Sequence, residues 1–144
     1  AIANNLFEMS KLKVPIINII IGEGASGGAL GIGIGDLIIC FENTWFSVIS
    51  PEGCASILFR DAKRAQDAAE ALKPIPTDLV NMGICDEIIN EPNGGAHRDF
   101  ESSAIALKAS LETNLLNFSK SDSNNYLENR IEKYDKLGYY EELA

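Results

Sequence analysis

The sequence predicts an alternating α/β domain followed by a helical tail. Apolar runs of strand length at residues 14–21, 37–41, 45–49 and 85–89 are bounded by glycine, proline, asparagine and aspartate. Short helical stretches with recognisable caps fall among them. Beyond residue 99 the apolar spacing changes to four and three, the period of a helix. With 144 residues and 46% hydrophobic content, one packed domain is the expected organisation.

Residues 1–9 read as part of an amphipathic helix, without the charged start and cleavage site of a leader. Because they also lack an initiator methionine, the chain reads as a fragment. Residues 14–21 form a buried strand, and residues 22–28 form a tight turn that opens a short helix over 26–35. Gly31 and Gly33 each cost that helix about 1 kcal/mol against alanine, so something there must need close backbone approach. Two strands, 37–41 and 45–49, flank a turn at 42–44. Ser50 is the N-cap of the next helix, with Pro51 at its first position and Glu52 in its first turn. Asp61 opens a second helix, rich in alanine and carrying Leu72, which stops near Pro74 because proline cannot continue the hydrogen-bond ladder. Thr77 caps a further turn or two ending at Gly83. The last strand, 85–89, leads into a loop at 91–95. In the tail, Phe100, Ala104, Leu107, Leu111, Leu115 and Phe118 mark the apolar stripe of a long helix over 99–120. Residues 121–125 break it, and Leu127, Ile131, Tyr134 and Leu137 mark a second stripe that Gly138 ends.

Composition excludes several classes. A formal charge of -9 leaves no basic face to replace phosphate counterions, so no nucleic-acid partner is expected. No apolar run approaches the roughly 20 residues of a membrane helix, so a soluble protein is expected. Cys40, Cys54 and Cys85 are odd in number and set in apolar surroundings, which fits core packing in a reducing compartment rather than a disulfide framework. A single histidine and no C-x-x-C pair offer no zinc site.

The chemistry concentrates in residues 22–28, and three readings fit their spacing. Gly22, Gly24 and Gly27 match G-x-G-x-x-G, a dinucleotide fingerprint, with Glu42 where the ribose-binding acid would stand. Residues 24–28 match G-x-S-x-G, a nucleophile elbow, with Ser26, Asp86 and His97 in the chain order of that hydrolase triad. Alternatively, Gly27 and Gly28 are bare backbone donors at a helix start, where free N–H groups and the positive dipole end can hold an oxyanion. Each residue also has a plainer role. The glycines can serve tight packing. Ser26 can be a helix cap or turn residue rather than a nucleophile. His97 can be a hydrogen-bonded structural residue, Arg98 an exposed partner of an acid, and Arg60, Lys63 and Arg64 a solvated helix face.

Several stretches together resemble one family. They are Ala1-Ile2-Ala3 with Asn5-Leu6, Val14-Pro15, Gly22-Glu23-Gly24-Ala25-Ser26-Gly27-Gly28-Ala29-Leu30, Ser50-Pro51-Glu52-Gly53-Cys54-Ala55-Ser56-Ile57-Leu58, and Glu91-Pro92 with Gly94-Gly95-Ala96-His97-Arg98. In that order they are similar to the carboxyltransferase α-subunit family of the bacterial and plastid type of acetyl-CoA carboxylase. The resemblance implies a partial crotonase-like (ClpP/crotonase) fold, a spiral of ββα units over residues 1–98, with helices over 99–144 packing on that core or on a partner subunit. It implies transfer of a carboxyl group from carboxybiotin to acetyl-CoA, giving malonyl-CoA for fatty acid biosynthesis. Gly27 and Gly28 would then form the oxyanion hole, and Gly24 and Ser26 would lie on the carboxybiotin side. No cofactor would be bound directly: carboxybiotin arrives on a biotin carboxyl carrier protein, and zinc belongs to the β subunit. Expected partners are that β subunit in an α2β2 assembly, the carrier and biotin carboxylase, in a bacterial cytoplasm or plastid stroma. Another crotonase-type acyl-CoA enzyme or a Ser26-based hydrolase is the alternative. A complete member of the family is longer, so the resemblance also implies that this chain is the C-terminal half and inactive alone.

Overall fold

The computed structural model describes residues 1–120 and 125–138. Helix α1 (Ile2–Ser10) precedes strands β1 (Ile17–Ile20) and β2 (Glu23–Ala25) and helix α2 (Ser26–Ile32). The same strand–strand–helix order repeats in β3 (Leu37–Phe41), β4 (Trp45–Ser47) and α3 (Pro51–Phe59). Helices α4 (Ala65–Leu72) and α5 (Pro76–Asn81) follow, then β5 (Glu87–Ile89), α6 (Phe100–Lys120) and α7 (Tyr126–Asp135). The strands form two sheets. In one, β1, β3 and β5 run parallel in that order, with Ile17 opposite Leu37 and Cys40 opposite Ile88. In the other, β2 pairs in parallel with β4, with Gly24 opposite Phe46. Successive ββα units therefore stack strand on equivalent strand, the crotonase-like spiral.

Burial explains the sheet. Ile39 and Cys40 are fully buried on adjacent positions of β3 and so face opposite sides. Ile20, Ile38 and Cys40 meet Leu79 and Cys85 on one side, while Ile39, Phe41 and Ile89 meet Ala106 and Leu107 of α6 on the other. A strand covered on both faces reads as a continuous apolar run, as residues 37–41 do. A third cluster, Cys54, Ala55 and Ala68, joins α3 to α4. All of Cys40, Cys54 and Cys85 are free and buried. A hydrogen bond with the Cys85 thiol, and then burial, push the Cys40 thiol up.

Several helix ends follow the sequence rules. Ser50 Oγ accepts from the Gly53 N–H at 3.2 Å with Pro51 in the first turn, and Asp61 Oδ1 accepts from the Lys63 N–H at 3.0 Å. Other expectations are corrected. Glu23–Ala25 is a paired strand rather than a turn: a Cβ on Gly24 would lie 2.9 Å from Phe46 Cδ2, so the missing side chain admits the Phe46 ring and lets β2 close on β4. Thr77 is inside α5, whose N-cap is Ile75 and whose first turn holds Pro76.

Both tail helices are rotated partly away from the stripe their apolar spacing marks. Leu107, Leu111 and Phe118 of α6 are half-buried as expected, as are Leu127 and Tyr134 of α7 and Leu137 just beyond it, but the rest of each stripe faces out and polar residues take its place. In α6, Phe100 is 82% exposed, while Ser103 is buried, its hydroxyl donating to the Asp99 carbonyl. Asn114 on the same inner face donates to Glu87 Oε2 at 2.8 Å. In α7, Ile131 is 61% exposed and Arg130 only 2%. The expected break at residues 121–125 lies, except for Asn125, outside the described residues.

Arg130 is the reason α7 turns that way. Its Nε and Nη2 donate to the two Asp36 carboxylate oxygens at 3.0 and 2.7 Å. Nη1 donates to the Met9 and Leu12 carbonyls at the end of α1, and Nη2 also to the Val14 carbonyl. Asp36 Oδ2 in turn accepts from the Ile16 N–H at 2.6 Å. One turn later, Lys133 Nζ lies 2.6 Å from Asp86 Oδ2, which also accepts from the Ile38 N–H.

Two stability predictions follow from this packing. Asp36→Asn leaves the Arg130 charge buried without its counter-ion and should lower unfolding stability by about 3–5 kcal/mol in urea titrations. A Cβ at Gly35 would lie 2.0 Å from Asn18 Oδ1 and 3.0 Å from the Ile16 carbonyl, whereas one at Gly22 meets nothing within 4 Å. Gly35→Ala should therefore cost about 1–3 kcal/mol by the same measurement, and Gly22→Ala should stay within about 0.5 kcal/mol of wild type.

Candidate active site

The glycine-rich turn lies where β2 passes into α2. Ala25 is extended, with φ −137° and ψ 157°, and Ser26 is left-handed at φ +55°. Among the described residues, the other non-glycine positions with positive φ, Arg60 and Lys73, are C-caps, where a left-handed residue commonly ends a helix. Ser26 instead opens one. A left-handed residue followed by a helical one is a local conformation in which successive backbone N–H groups can converge on an anion. No side chain caps α2, so Ser26 is not the side-chain cap that its type suggested.

The two glycines differ in their surroundings. A Cβ on Gly27 would lie 3.1 Å from Ile2 Cδ1, so this glycine serves the contact between α1 and α2. A Cβ on Gly28 would meet nothing within 4 Å. Packing within the chain does not require glycine at 28, because the space a side chain would enter there is open. Gly24 and Ser26 frame the same turn, Gly24 beneath the Phe46 ring and Ser26 exposed beside the end of the β2–β4 pairing.

Neither competing reading of this segment is assembled. A dinucleotide fingerprint needs a strand, a glycine turn and then a helix, but here Gly24 is inside β2, a second strand interposed before α2. Glu42 Oε2 accepts from the Glu91 N–H at 3.0 Å. In the proposed hydrolase triad, Asp86 stands just before β5 and is engaged by Lys133 and the Ile38 N–H, at the amino end of the parallel strands. His97 lies beyond β5, in a hollow of about 560 Å³ with Ile21, Glu42 and Glu91 at the carboxyl ends. The two ends of the sheet thus hold the acid and the base apart.

That hollow is laced by carboxylates. Glu91 Oε1 accepts from the Asn43 N–H at 2.9 Å and Oε2 from the Ala96 N–H at 2.6 Å. Desolvation acts to raise the Glu91 pKa, but these backbone donors, the Asn43 side chain and the charge of His97 outweigh it and hold the carboxyl below its ordinary value. Arg98 lies against Gly94, and Arg64 pairs with Asp67 at 2.7 Å while its guanidinium covers the Phe59 ring at 3.9 Å. Arg60, Lys63 and Arg64 are exposed. Among the described residues, no group of His, Cys, Asp and Glu side chains is placed to hold a metal ion, and no helix is long and apolar enough to cross a membrane.

What sequence reasoning missed is the polar grip of α7. Asp36, Arg130, Lys133 and Tyr134 come together across about a hundred residues, and no short motif marks them. The one available signal was Arg130, Lys133 and Tyr134 at spacings of three and four on one helix face.

The fold is of the crotonase-like class. Among solved structures, a Pseudomonas malonate decarboxylase hetero-tetramer in complex with coenzyme A aligns with a TM-score of 0.69 at 13% identity, over 90% of this chain and 51% of that one. The transcarboxylase 12S core aligns at a TM-score of 0.53 with 24% identity, over 75% of this chain and 22% of that one. In sequence, residues 1–138 match the acetyl co-enzyme A carboxylase carboxyltransferase-like family model. The chain is 52% identical over 142 residues to the acetyl-coenzyme A carboxylase carboxyl transferase subunit alpha of Pelodictyon phaeoclathratiforme, and 52% identical over 138 residues to that of Coxiella burnetii. It covers 42% and 44% of these relatives, less than half their length. The chain belongs to the acetyl-CoA carboxylase carboxyltransferase family.

The Glu91 clasp gives a pH prediction. With its folded pKa depressed, Glu91 contributes stability that is present above its ordinary value of 4.5 and is lost as pH falls through the lower folded value. Wild-type urea midpoints should therefore fall on acidification below that point, and Glu91→Gln should show a shallower fall from a lower plateau.

Proposed function

We propose that this chain supplies the carboxybiotin side of a carboxyltransferase centre that converts acetyl-CoA to malonyl-CoA. The observation that carries the reading is the left-handed Ser26 at an uncapped helix start, with open space at the Cβ position of Gly28. Membership of the family supports the substrate class.

The carried group supplies CO2, released as its carboxyl bond breaks, and a ureido nitrogen able to accept the proton that leaves the acetyl methyl as that carbon bonds to CO2. The chain's part is electrostatic. Negative charge develops on the ureido oxygen, and the Gly27 and Gly28 N–H groups, unpaired within the helix and at its positive end, donate to it. Fixed donors need no rearrangement when the charge appears, and losing one typically costs about 3 kcal/mol of transition-state stabilisation. The proton goes to the carried group, so the chain need not provide a general base, and the separation of Asp86 from His97 does not hinder the reaction. Gly24 and Ser26 frame the pocket wall on this side.

The remaining parts of the centre come from partners. Ile21 and Val48, which flank the turn in sequence and along the β2–β4 pairing, are 72% and 63% exposed. That apolar rim supports a separate β subunit seated there, bringing the acyl-CoA wall and its own zinc, in an α2β2 assembly. A carrier protein would present biotin carboxylated by biotin carboxylase. The bacterial relatives support a bacterial cytoplasm, with the plastid stroma as the equivalent compartment.

The test is malonyl-CoA-dependent carboxylation of biocytin by the full-length subunit assembled with its β subunit. Gly28→Val should retain assembly, because the Cβ position is open, and lose about 10²–10³-fold in kcat by obstructing the donor site. Ser26→Ala should keep most of the activity, and wild type should not label with a fluorophosphonate. Unchanged activity in Gly28→Val, or labelling at Ser26, would contradict the proposal.

A further inference from the structure

The helix that carries the proposed anion site is poorly equipped to hold its own position. It has seven residues, among them Gly27, Gly28 and Gly31, and its buried residue is Ala29. Glycine in a helix interior costs about 1 kcal/mol against alanine, and no side chain caps the amino end. Its placement must therefore be imposed from outside.

Contacts from α7 impose it at two points. The Tyr134 hydroxyl donates to the Gly33 carbonyl at 2.8 Å, with the Gly35 carbonyl at 3.0 Å. Gly33 is the C-cap of α2, its own N–H returning to the Ala29 carbonyl at 2.9 Å, so this hydroxyl holds the exit of the helix. The second point is indirect. Ile2 of α1 lies over the glycine face of α2, 3.1 Å from the Cβ position of Gly27 and 3.5 Å from that of Gly31. The carboxyl end of α1 is fastened in turn by Arg130 Nη1, through the Met9 and Leu12 carbonyls at 3.2 and 3.0 Å.

We propose that Tyr134 and Arg130 are positioning residues for carboxyl transfer: they fix the axial position of α2 and thereby the direction of the Gly27 and Gly28 N–H groups. The inference rests on the functional reading above. At about 1.5 Å per residue, α2 is only about 10 Å long, and a short rigid helix passes a displacement at its exit to its first turn. Donor geometry must hold within about 0.5 Å, and a misplacement near 1 Å can cost on the order of 10²-fold in rate. Burial, followed by the charges of Asp86 and Asp36, pushes the Tyr134 hydroxyl up to about 12, so it stays a donor across the working pH range.

Lys133 provides the control. It lies on the same helix but grips Asp86 and the Asp36 carbonyl, at the strand starts rather than at α2. In the full-length subunit assembled with its β subunit, Tyr134→Phe should lower kcat for biocytin carboxylation roughly tenfold, with KM for malonyl-CoA within about twofold of wild type. Lys133→Met should lower the melting temperature but leave kcat near wild type. Arg130→Lys, which retains charge but cannot reach every carbonyl, should fall between wild type and Arg130→Met in kcat. Wild-type kcat in Tyr134→Phe, or equal kcat losses in the Tyr134 and Lys133 variants, would overturn the positioning role while leaving the functional reading intact. Absence of transfer in the wild-type assembly would overturn that reading, and the positioning role with it.

Discussion

Arg130 is a cation removed from water, and much of the chain is arranged so that its N–H groups are matched. A buried guanidinium is tolerated only when a counter-charge and enough acceptors replace its hydration. Asp36 supplies the charge, and the carbonyls of Met9, Leu12 and Val14 supply the rest. These acceptors belong to the end of α1, the approach to β1 and the approach to β3. Satisfying one side chain therefore ties the end of α1 and helix α7 to the paired starts of β1 and β3. Asp36 extends the constraint by taking the Ile16 N–H, which fixes the start of β1 beside that of β3.

With the amino ends of the strands fixed in this way, the proposed site lies in a turn beyond them. Each ββα unit sends its chain from the three-stranded sheet to the two-stranded one and then into a helix. In the first unit that last step is made through a left-handed serine, and two glycines follow. Glycine has separate causes within this short stretch. Gly24 makes room for the Phe46 ring and Gly27 for Ile2, whereas nothing in the chain occupies the space that a side chain at 28 would fill. A glycine without an internal packing reason, beside unpaired helix N–H groups, is compatible with the oxyanion role proposed for this turn.

The strands were legible in the sequence wherever burial was two-sided: the run at 37–41 is β3 residue for residue. Caps at Ser50 and Asp61 were legible because each directly precedes a helix, Ser50 with proline at the first helical position, whereas Ser26 and Thr77 fall inside theirs. The short β2 was not, because a stretch containing Gly24 carries no strand pattern and its pairing depends on the distant Phe46. The inner faces of α6 and α7 were legible only in part, Leu107 and Tyr134 lying inward as the spacing marks while Phe100 and Ile131 face out. Apolar periodicity ranks side chains by transfer energy, yet Asn114 and Arg130 are drawn inward by acceptors outside their helices, Glu87 and Asp36. Of the candidate site, the glycine turn was visible in full as a motif. Choosing among its three readings needed the interposed strand, the separation of Asp86 from His97 and the sign of the Ser26 φ angle, none of which spacing encodes.

The most direct measurement is a structure of the full-length subunit, assembled with its β subunit and soaked with biotin. The account predicts the ureido oxygen about 2.7–3.1 Å from the Gly27 and Gly28 nitrogens, with Ser26 still left-handed and its hydroxyl unmodified. A biotin ring held by side chains elsewhere, with the start of α2 vacant, would contradict it.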